Sequence, residues 1–334
     1  MKHLFINDYG VGLKVTNERL NIVKNEKGDK ELRESIEIPL KRIKTITILG
    51  GGASMSSNML IKCSLYGIKV YVTDFKHEIA MSFTNTAWHK VVNIRKEQIN
   101  CIQEGRSGYL ANQLIMGKLK NQRSTLLYLN KYHSKNNNIY KNNFDKFLII
   151  ADNAITKIQE TKTTGLPLPS LLGIEGKVAA EYWNTLKAIF PETFTNRTGR
   201  GATDITNISL NFGYSVLKTY IWNCIINAGL EPYAGFLHSD RPGKPSLVLD
   251  IMEEYRAWVV DRNIIKIKSQ LIDSKDFNLD LRKRIIEEIT KTINKPYPYN
   301  NHRVSLQSII QRQVYKLVGS LIKKTNYKSY IFKW

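Results

Sequence analysis

Acidic side chains are scarce in this chain: 29 Asp and Glu stand against 50 Lys and Arg in 334 residues, a formal net charge of +21. The deficit is uneven, with a net of +4 over residues 1–84 and +17 over the rest. Such an excess points to a polyanion, nucleic acid first and an anionic membrane surface second; a soluble basic protein is the plain alternative. Cysteine is scarcer still. Cys63, Cys101 and Cys224 are odd in number and far apart, which excludes a disulfide framework and a zinc pattern and suits a reducing cytosol. Long apolar runs are absent, so no membrane span is expected, and "MKHLFINDYG" has no apolar core after its basic start, so no secretory signal is expected. Absent too are a P-loop, HExxH, GxSxG and an EF-hand loop, and "ILGGGASM" lacks the third glycine of a dinucleotide loop and reads as a strand-to-helix turn.

What is present changes character along the chain. Up to about residue 82 the segments "KHLFIND", "GVGLKVT", "RLNIVKN", "ESIEIPL", "KTITIL" and "IKVYVTDF" are short, β-branched and separated by turn residues, which predicts strands. "SSNMLIKCSLYG" predicts one helix among them, capped by Ser56 or Ser57 and closed by Gly67. "NTAWHKVVNIRK" reads as a linker, after which helical periods take over: 108–132, 140–162, 171–190, 205–228, 246–260, 281–294 and 303–323. "NKPYPYNNH" reads as a break. The expected class is α+β and multidomain: an N-terminal β-rich domain over 1–84, a linker over 85–97 and a larger all-α catalytic domain over 98–334.

Two stretches carry candidate chemistry. In "SLLGIEGKVAAEYWNTLKAIF", residues 170–190, helical spacing puts Glu175 in an apolar stripe with Val178, Tyr182 and Leu186. A carboxylate aimed at a core is costly unless paired, protonated or bound to a metal; a first-turn Glu favoured by the helix dipole is the structural alternative. In "GFLHSDRPGKPSLVLDIMEEYR", residues 235–256, His238 precedes a basic Gly/Pro turn and a helix on which Asp250 and Glu253, three apart, lie close on one flank. Glu254 lies away from Glu253, nearer Leu247, and Arg256 is a candidate neutralising neighbour. A lone histidine is ordinarily a surface or satisfied core residue, and paired acids on a helix are ordinarily solvated. Together, though, Glu175, His238 and Glu253 form an oxygen/nitrogen/oxygen ligand set suited to Mg²⁺ or Mn²⁺. The tail "LIKKTNYKSYIFKW" interleaves bases and aromatics, as a nucleic-acid clamp or a docked segment would.

In order along the chain, these motifs resemble the CRISPR-associated adaptation integrase family (Cas-one, Cas1). "LLGIEG" with Glu175, "GFLH" with His238 and "GKPSLVLDIMEEYR" with Asp250 and Glu253 are similar to the family's acidic and histidine motifs. "SLNFGYSVL" with Asn211 and Tyr214, and "KLKNQRSTL" from Lys118 to Leu126, resemble further family segments, as does the strand–turn–helix–strand unit of the first domain. The segment "RTGRGATDITN" departs by lacking proline before Asp204 and Asn207.

The resemblance implies a metal-dependent DNA endonuclease and integrase of CRISPR adaptation and antiviral defence. Glu175, His238 and Glu253 would be the metal ligands, with Asp250 a fourth catalytic residue just behind them. Arg241, Lys244 and Arg256 would offset phosphate charge, and Arg197 and Arg200 would touch DNA. It also implies a cytoplasmic homodimer, joined chiefly through the N-terminal domain, two of which sandwich a Cas-two (Cas2) dimer. That heterohexamer would carry double-stranded prespacer DNA to the CRISPR repeat. The alternatives are a stand-alone transposon-type integrase of the same family and a DNA-binding scaffold without catalysis.

Overall fold

The computed structural model describes residues 2–25, 33–75, 78–85, 91–135, 137–161, 165–199, 201–274, 276–323 and 325–333. The chain divides into two compact units, Met1–Lys90 and Val91–Trp334. The first is β-rich and the second mostly helical, the α+β order expected from the change of period.

The first unit holds two four-stranded sheets. One contains β1 (Lys2–Ile6), β5 (Ile43–Ile48), β7 (Lys69–Thr73) and β8 (Ile79–Phe83), in that order; β1, β5 and β7 run parallel and β8 antiparallel. The other runs β4 (Arg33–Pro39), β3 (Arg19–Asn25), β2 (Val11–Thr16) and β6 (Ala53–Met55). Alternation puts Val11, Leu13 and Val15 of β2 into a core shared with Ile46 and Ile48 of β5. Helix α1 (Ser57–Leu65) adds Met59 and Cys63 to that core, and its cap is Ser56, whose hydroxyl accepts the Met59 N–H at 3.2 Å. Strand β6 lies inside the glycine turn, and three residues are too few to show a period.

The second unit is built of α2 (Val92–Gln103), α3 (Ser107–His133), α4 (Asn138–Glu160), α5 (Leu168–Lys187), α6 (Ile205–Asn227), α7 (Ser246–Met252), α8 (Arg262–Lys266), α9 (Lys268–Asp273), α10 (Leu279–Asn294) and α11 (Leu306–Lys323). Among the described residues, side chains capture the first N–H groups at four starts: Asn137 for α4, Asp204 for α6, Asn278 for α10 and Ser305 for α11. Helix α6 is buried all round, from Leu210 through Val216 and Leu217 to Ile225, so it is the axis on which the other helices pack.

Three sequence expectations change. The expected linker is partly helix: α2 begins at Val92, because Gln98 and Cys101 are buried; residues 86–90 lie outside the described ones. "NKPYPYNNH" is a hairpin rather than a break, so the second unit is not purely helical. Its strands are β9 (Pro296–Tyr299) and β10 (His302–Ser305), turned at Asn300 and Asn301 with φ of 47° and 65°. Its prolines alternate with buried Tyr297 and Tyr299. Finally, the helix expected over 246–260 stops after Met252. The backbone tightens at Glu253 and Tyr255, whose N–H groups bond carbonyls three residues back, then widens into a π-helical turn at Ala257–Asp261.

Candidate active site

The loop between α6 and α7 is shaped by its neighbours. Gln98 of α2 donates to the carbonyls of Glu231 (3.0 Å) and Ala234 (2.6 Å) and accepts the Glu231 N–H (2.8 Å). Asp250 of α7 then gathers the next residues. Its fully buried carboxylate accepts the N–H groups of Phe236 (2.6 Å), Leu237 (2.9 Å) and His238 (3.0 Å), and its Oδ1 lies 2.6 Å from His238 Nδ1. Gly235 is required here: a Cβ would stand 2.7 Å from Asp250 Oδ2 and 2.8 Å from Ser246 Cβ. With Nδ1 engaged by a carboxylate, Nε2 is the ring nitrogen left for a ligand, the arrangement by which carboxylates orient metal-binding histidines.

Glu175 and Glu253 are brought together by a lysine. Lys118 Nζ donates to Glu175 Oε1 and lies 2.8 Å from Glu253 Oε2. Arg256 Nη2 adds a second cation 3.3 Å from Glu253 Oε1. Burial opposes ionisation of Glu253, but Arg256 and Lys118 outweigh it and hold the carboxyl down at about 2. Burial likewise pulls the Lys118 ammonium down, and Glu253 and Glu175 more than reverse it. His238 is near enough for its charge to bear on Glu253.

Both carboxylates therefore face one cation, the Lys118 ammonium. Glu253 Oε2, though beside that ammonium, is buried without a well-directed hydrogen bond, so its lone pair stays available. Two carboxylates and an oriented imidazole fit a hard divalent ion. Among the described residues, no three His, Cys, Asp or Glu side chains are gathered tightly enough to hold an ion as they stand. The lysine occupies the common point.

Behind this cluster lies another that the sequence did not disclose. Asp261, buried in the π-helical turn, accepts the Tyr214 hydroxyl (2.5 Å) and the Tyr182 hydroxyl (2.9 Å). Burial pushes its carboxyl up to about 6, against those two hydrogen bonds. Over the Tyr214 ring sit the guanidiniums of Arg256 (5.1 Å) and Arg197 (5.3 Å). Arg197 also donates to Asn207 Oδ1 (2.9 Å) and Asn211 Oδ1 (2.6 Å).

The five expected DNA contacts thus separate. Arg241 is exposed and Lys244 partly so, at either end of a tight turn closed by Gly243 in the left-handed region (φ 75°). Arg197 and Arg256 hold protein partners instead, and Arg200 lies outside the described residues.

Glu254 is not a surface acid. The tightened turn sends Glu253 toward Lys118 and Glu254 the opposite way, fully buried, to accept from Tyr327 Oη (2.5 Å), Ser329 Oγ (3.0 Å) and the Tyr330 N–H (3.1 Å). Asn121, one turn after Lys118 on α3, donates to the carbonyls of Glu254 (2.7 Å) and Tyr330 (2.8 Å) and accepts the Phe332 N–H (2.9 Å). Phe332 stacks on Trp258, centroids 5.2 Å apart. The basic, aromatic tail is therefore a docked strap.

Among known proteins, the family described as "CRISPR associated protein Cas1" matches residues 4–294. A CRISPR-associated endonuclease Cas1 of Francisella tularensis subsp. novicida is 43% identical over 336 residues, covering 100% of both chains. One from Archaeoglobus fulgidus is 29% identical, covering 99% of each. Among solved structures, a casposase bound to integration product superposes with a TM-score of 0.81 at 22% identity, covering 98% of this chain and 93% of that one. A Cas1 protein from Thermotoga maritima gives 0.75 at 19% identity, covering 99% and 100%. A chain of a Cas6-RT-Cas1–Cas2 complex gives 0.72 at 21%, covering 99% of this chain and 36% of that one. These structural likenesses establish the fold. Among the described residues, no helix is long and apolar enough to cross a membrane.

Proposed function

This chain belongs to the CRISPR-associated Cas1 family, and on that premise we propose that it is a metal-dependent DNA integrase and endonuclease acting in CRISPR adaptation. The observation that carries the proposal is the convergence of Glu175, Glu253 and Lys118, beside a histidine held by Asp250. Glu175, His238 and Glu253 are the ligands; a Mg²⁺ or Mn²⁺ held there would polarise the target phosphate and lower the pKa of the attacking hydroxyl. Asp250 fixes the His238 ring and so is a positioning residue. Arg256 and Lys118 keep Glu253 ionised at neutral pH, ready to ligate.

The reaction exchanges one ester for another. A prespacer 3′-hydroxyl attacks a repeat phosphodiester, a new phosphorus–oxygen bond forms, and the bridging bond to the repeat strand breaks. The proton of the attacking hydroxyl ends on the departing oxygen, so no nucleotide is consumed. Arg241 and Lys244, on their exposed turn, meet the backbone phosphates. The partners are prespacer and repeat duplexes, a second copy of this chain through the β-rich unit, and a Cas2 dimer in a heterohexamer, in the cytoplasm. Similarity to a chain of the Cas6-RT-Cas1–Cas2 complex supports the Cas2 partner. Similarity to a casposase bound to its integration product supports DNA integration as the chemistry.

The test is integration of a labelled duplex into a supercoiled plasmid carrying a repeat array, with and without Cas2, in Mg²⁺ or Mn²⁺. Glu175→Ala and His238→Ala should abolish joining while DNA binding persists. Normal joining by either variant would overturn the ligand assignment. Joining that ignores the array would favour the transposon-type reading, and no metal-dependent cleavage or joining at all would favour a scaffold.

A further inference from the structure

Outside the candidate active site, one region is basic on its open side, since the acid beside it, Glu254, is buried beneath the strap and engaged by Tyr327, Ser329 and Tyr330. The strap runs between two cavities of about 320 and 630 Å³, and Lys328, Ser329 and Ile331 line both. Lys120 joins Lys328 at the smaller. Arg303, Lys316 and Lys333 join it at the larger. No Asp or Glu lines either cavity, and among the described residues no ion pair to Lys120, Lys328, Arg303, Lys316 or Lys333 is seen. Burial and the charge of Lys328 together depress the Lys120 ammonium, so the cations are crowded without compensation. Like charges held together at a cost, with no carboxylate paired to them, call for an anion from outside.

The strap is also rigid where it needs to be. Tyr327, Tyr330 and Phe332 point inward and are buried, while Lys328 and Lys333 are exposed. Inward anchoring through Glu254 and Asn121 fixes the backbone from which the outward lysines project, so little order is lost when they meet a ligand. Lys316 is itself placed over the Tyr299 ring, its Nζ 4.9 Å from the centroid.

We infer that the strap and its two flanking cavities form a second DNA-backbone site, apart from Glu175, His238 and Glu253. It holds a length of the bound duplex by its phosphates, without reading sequence. The inference rests on the reading that this chain acts on DNA.

The test uses the full chain and a labelled duplex, with anisotropy measured across a salt series. In Lys120→Glu/Lys316→Glu/Lys328→Glu, the slope of log affinity against log salt should become shallower by about 2–3, near 0.9 for each phosphate no longer neutralised. Affinity should fall about tenfold or more at low salt, while single-turnover joining at saturating DNA stays at the wild-type rate. An equal charge change on the outer faces of α4 and α5, Lys141→Glu/Lys157→Glu/Lys187→Glu, should leave the slope nearly intact. Wild-type slope and affinity in the strap variant would overturn the inference, as would an equal loss in the control. So would unchanged DNA affinity with loss of an acidic protein partner instead. If the charge reversals unfold the chain, the Lys→Gln set carries the same expectation with a smaller drop. Failure of the wild-type chain to bind or join DNA would instead sink the parent reading.

Discussion

Asp261→Asn is expected to stabilise this protein at neutral pH and to do nothing in acid. The carboxyl is fully buried and pushed up from 3.8 to about 6. Because the folded-state value lies above the unfolded one, the folded chain holds the extra proton between those two values. Stability therefore falls as pH rises through that window and stays low above it. Two units correspond to about 3 kcal/mol of burial cost carried by the ionised form at pH 7, taken as an upper figure. Asparagine is close in shape and carries no charge. Its oxygen can accept one of the two tyrosine hydroxyls, and the other hydroxyl can turn to accept from its amide. Other groups tilt the wild-type curve: Glu254, pushed up to about 7 by burial, acts in the same direction, and Glu253, held at about 2, acts at lower pH with the opposite sign. The informative quantity is thus the difference between variant and wild type, from urea midpoints and slopes at steps between pH 4 and 7.5. Near pH 4 it should vanish, then grow in favour of the variant to a plateau above pH 6 of up to about 3 kcal/mol. A flat difference, or a variant that is weaker at pH 7.5, refutes the burial argument.

Other consequences are as direct. Gly235→Ala should lower stability by about 1–3 kcal/mol and impair joining with it, since its methyl collides with Asp250 and Ser246; thermal melting and an integration assay read both. Lys118→Met removes one of two cations holding Glu253 ionised, so about 3 kcal/mol of stability should go, by denaturant titration, unless saturating Mn²⁺ is present to take its place. Asn121→Leu strands the Glu254 and Tyr330 carbonyls and the Phe332 N–H; a loss above about 3 kcal/mol is expected, and proteolysis should begin in the strap. Binding of the wild-type chain to duplex DNA should weaken steeply with salt, and an affinity indifferent to salt would contradict the phosphate-contact picture.

What the sequence disclosed, and what it hid, follows from the range of each interaction. His238 and Asp250 are twelve apart, within one loop and the helix after it, so one local motif named both, though not the bond between them. The tilt of Glu175 toward Val178 and Tyr182 was readable because helical spacing is itself local. Lys118 was not, since it meets Glu175 across 57 residues, and nothing in "KLKNQRSTL" says which lysine turns inward. Glu254 was misplaced for another reason. A continuous helix would set it near Leu247, but the backbone tightens at Glu253 and widens again at Ala257, and that irregularity divides the two neighbouring acids. The hairpin at 296–305 escaped because its prolines, normally strand breakers, sit in a two-stranded ribbon with free edges.

The strap also sets when the Glu253–Glu254 turn can find its partners as the chain is made. Asn121 and the Glu253–Glu254 turn leave the ribosome well before Tyr327, Tyr330 and Phe332, which lie 211 residues from Asn121 at the farthest bond. Until those residues emerge, the Glu254 carboxylate and the Asn121 amide lack the partners that seat the turn. An unfinished chain therefore carries every proposed ligand and still presents Glu253 on an unsupported backbone. The turn that carries Glu253 is seated only once the strap has been made.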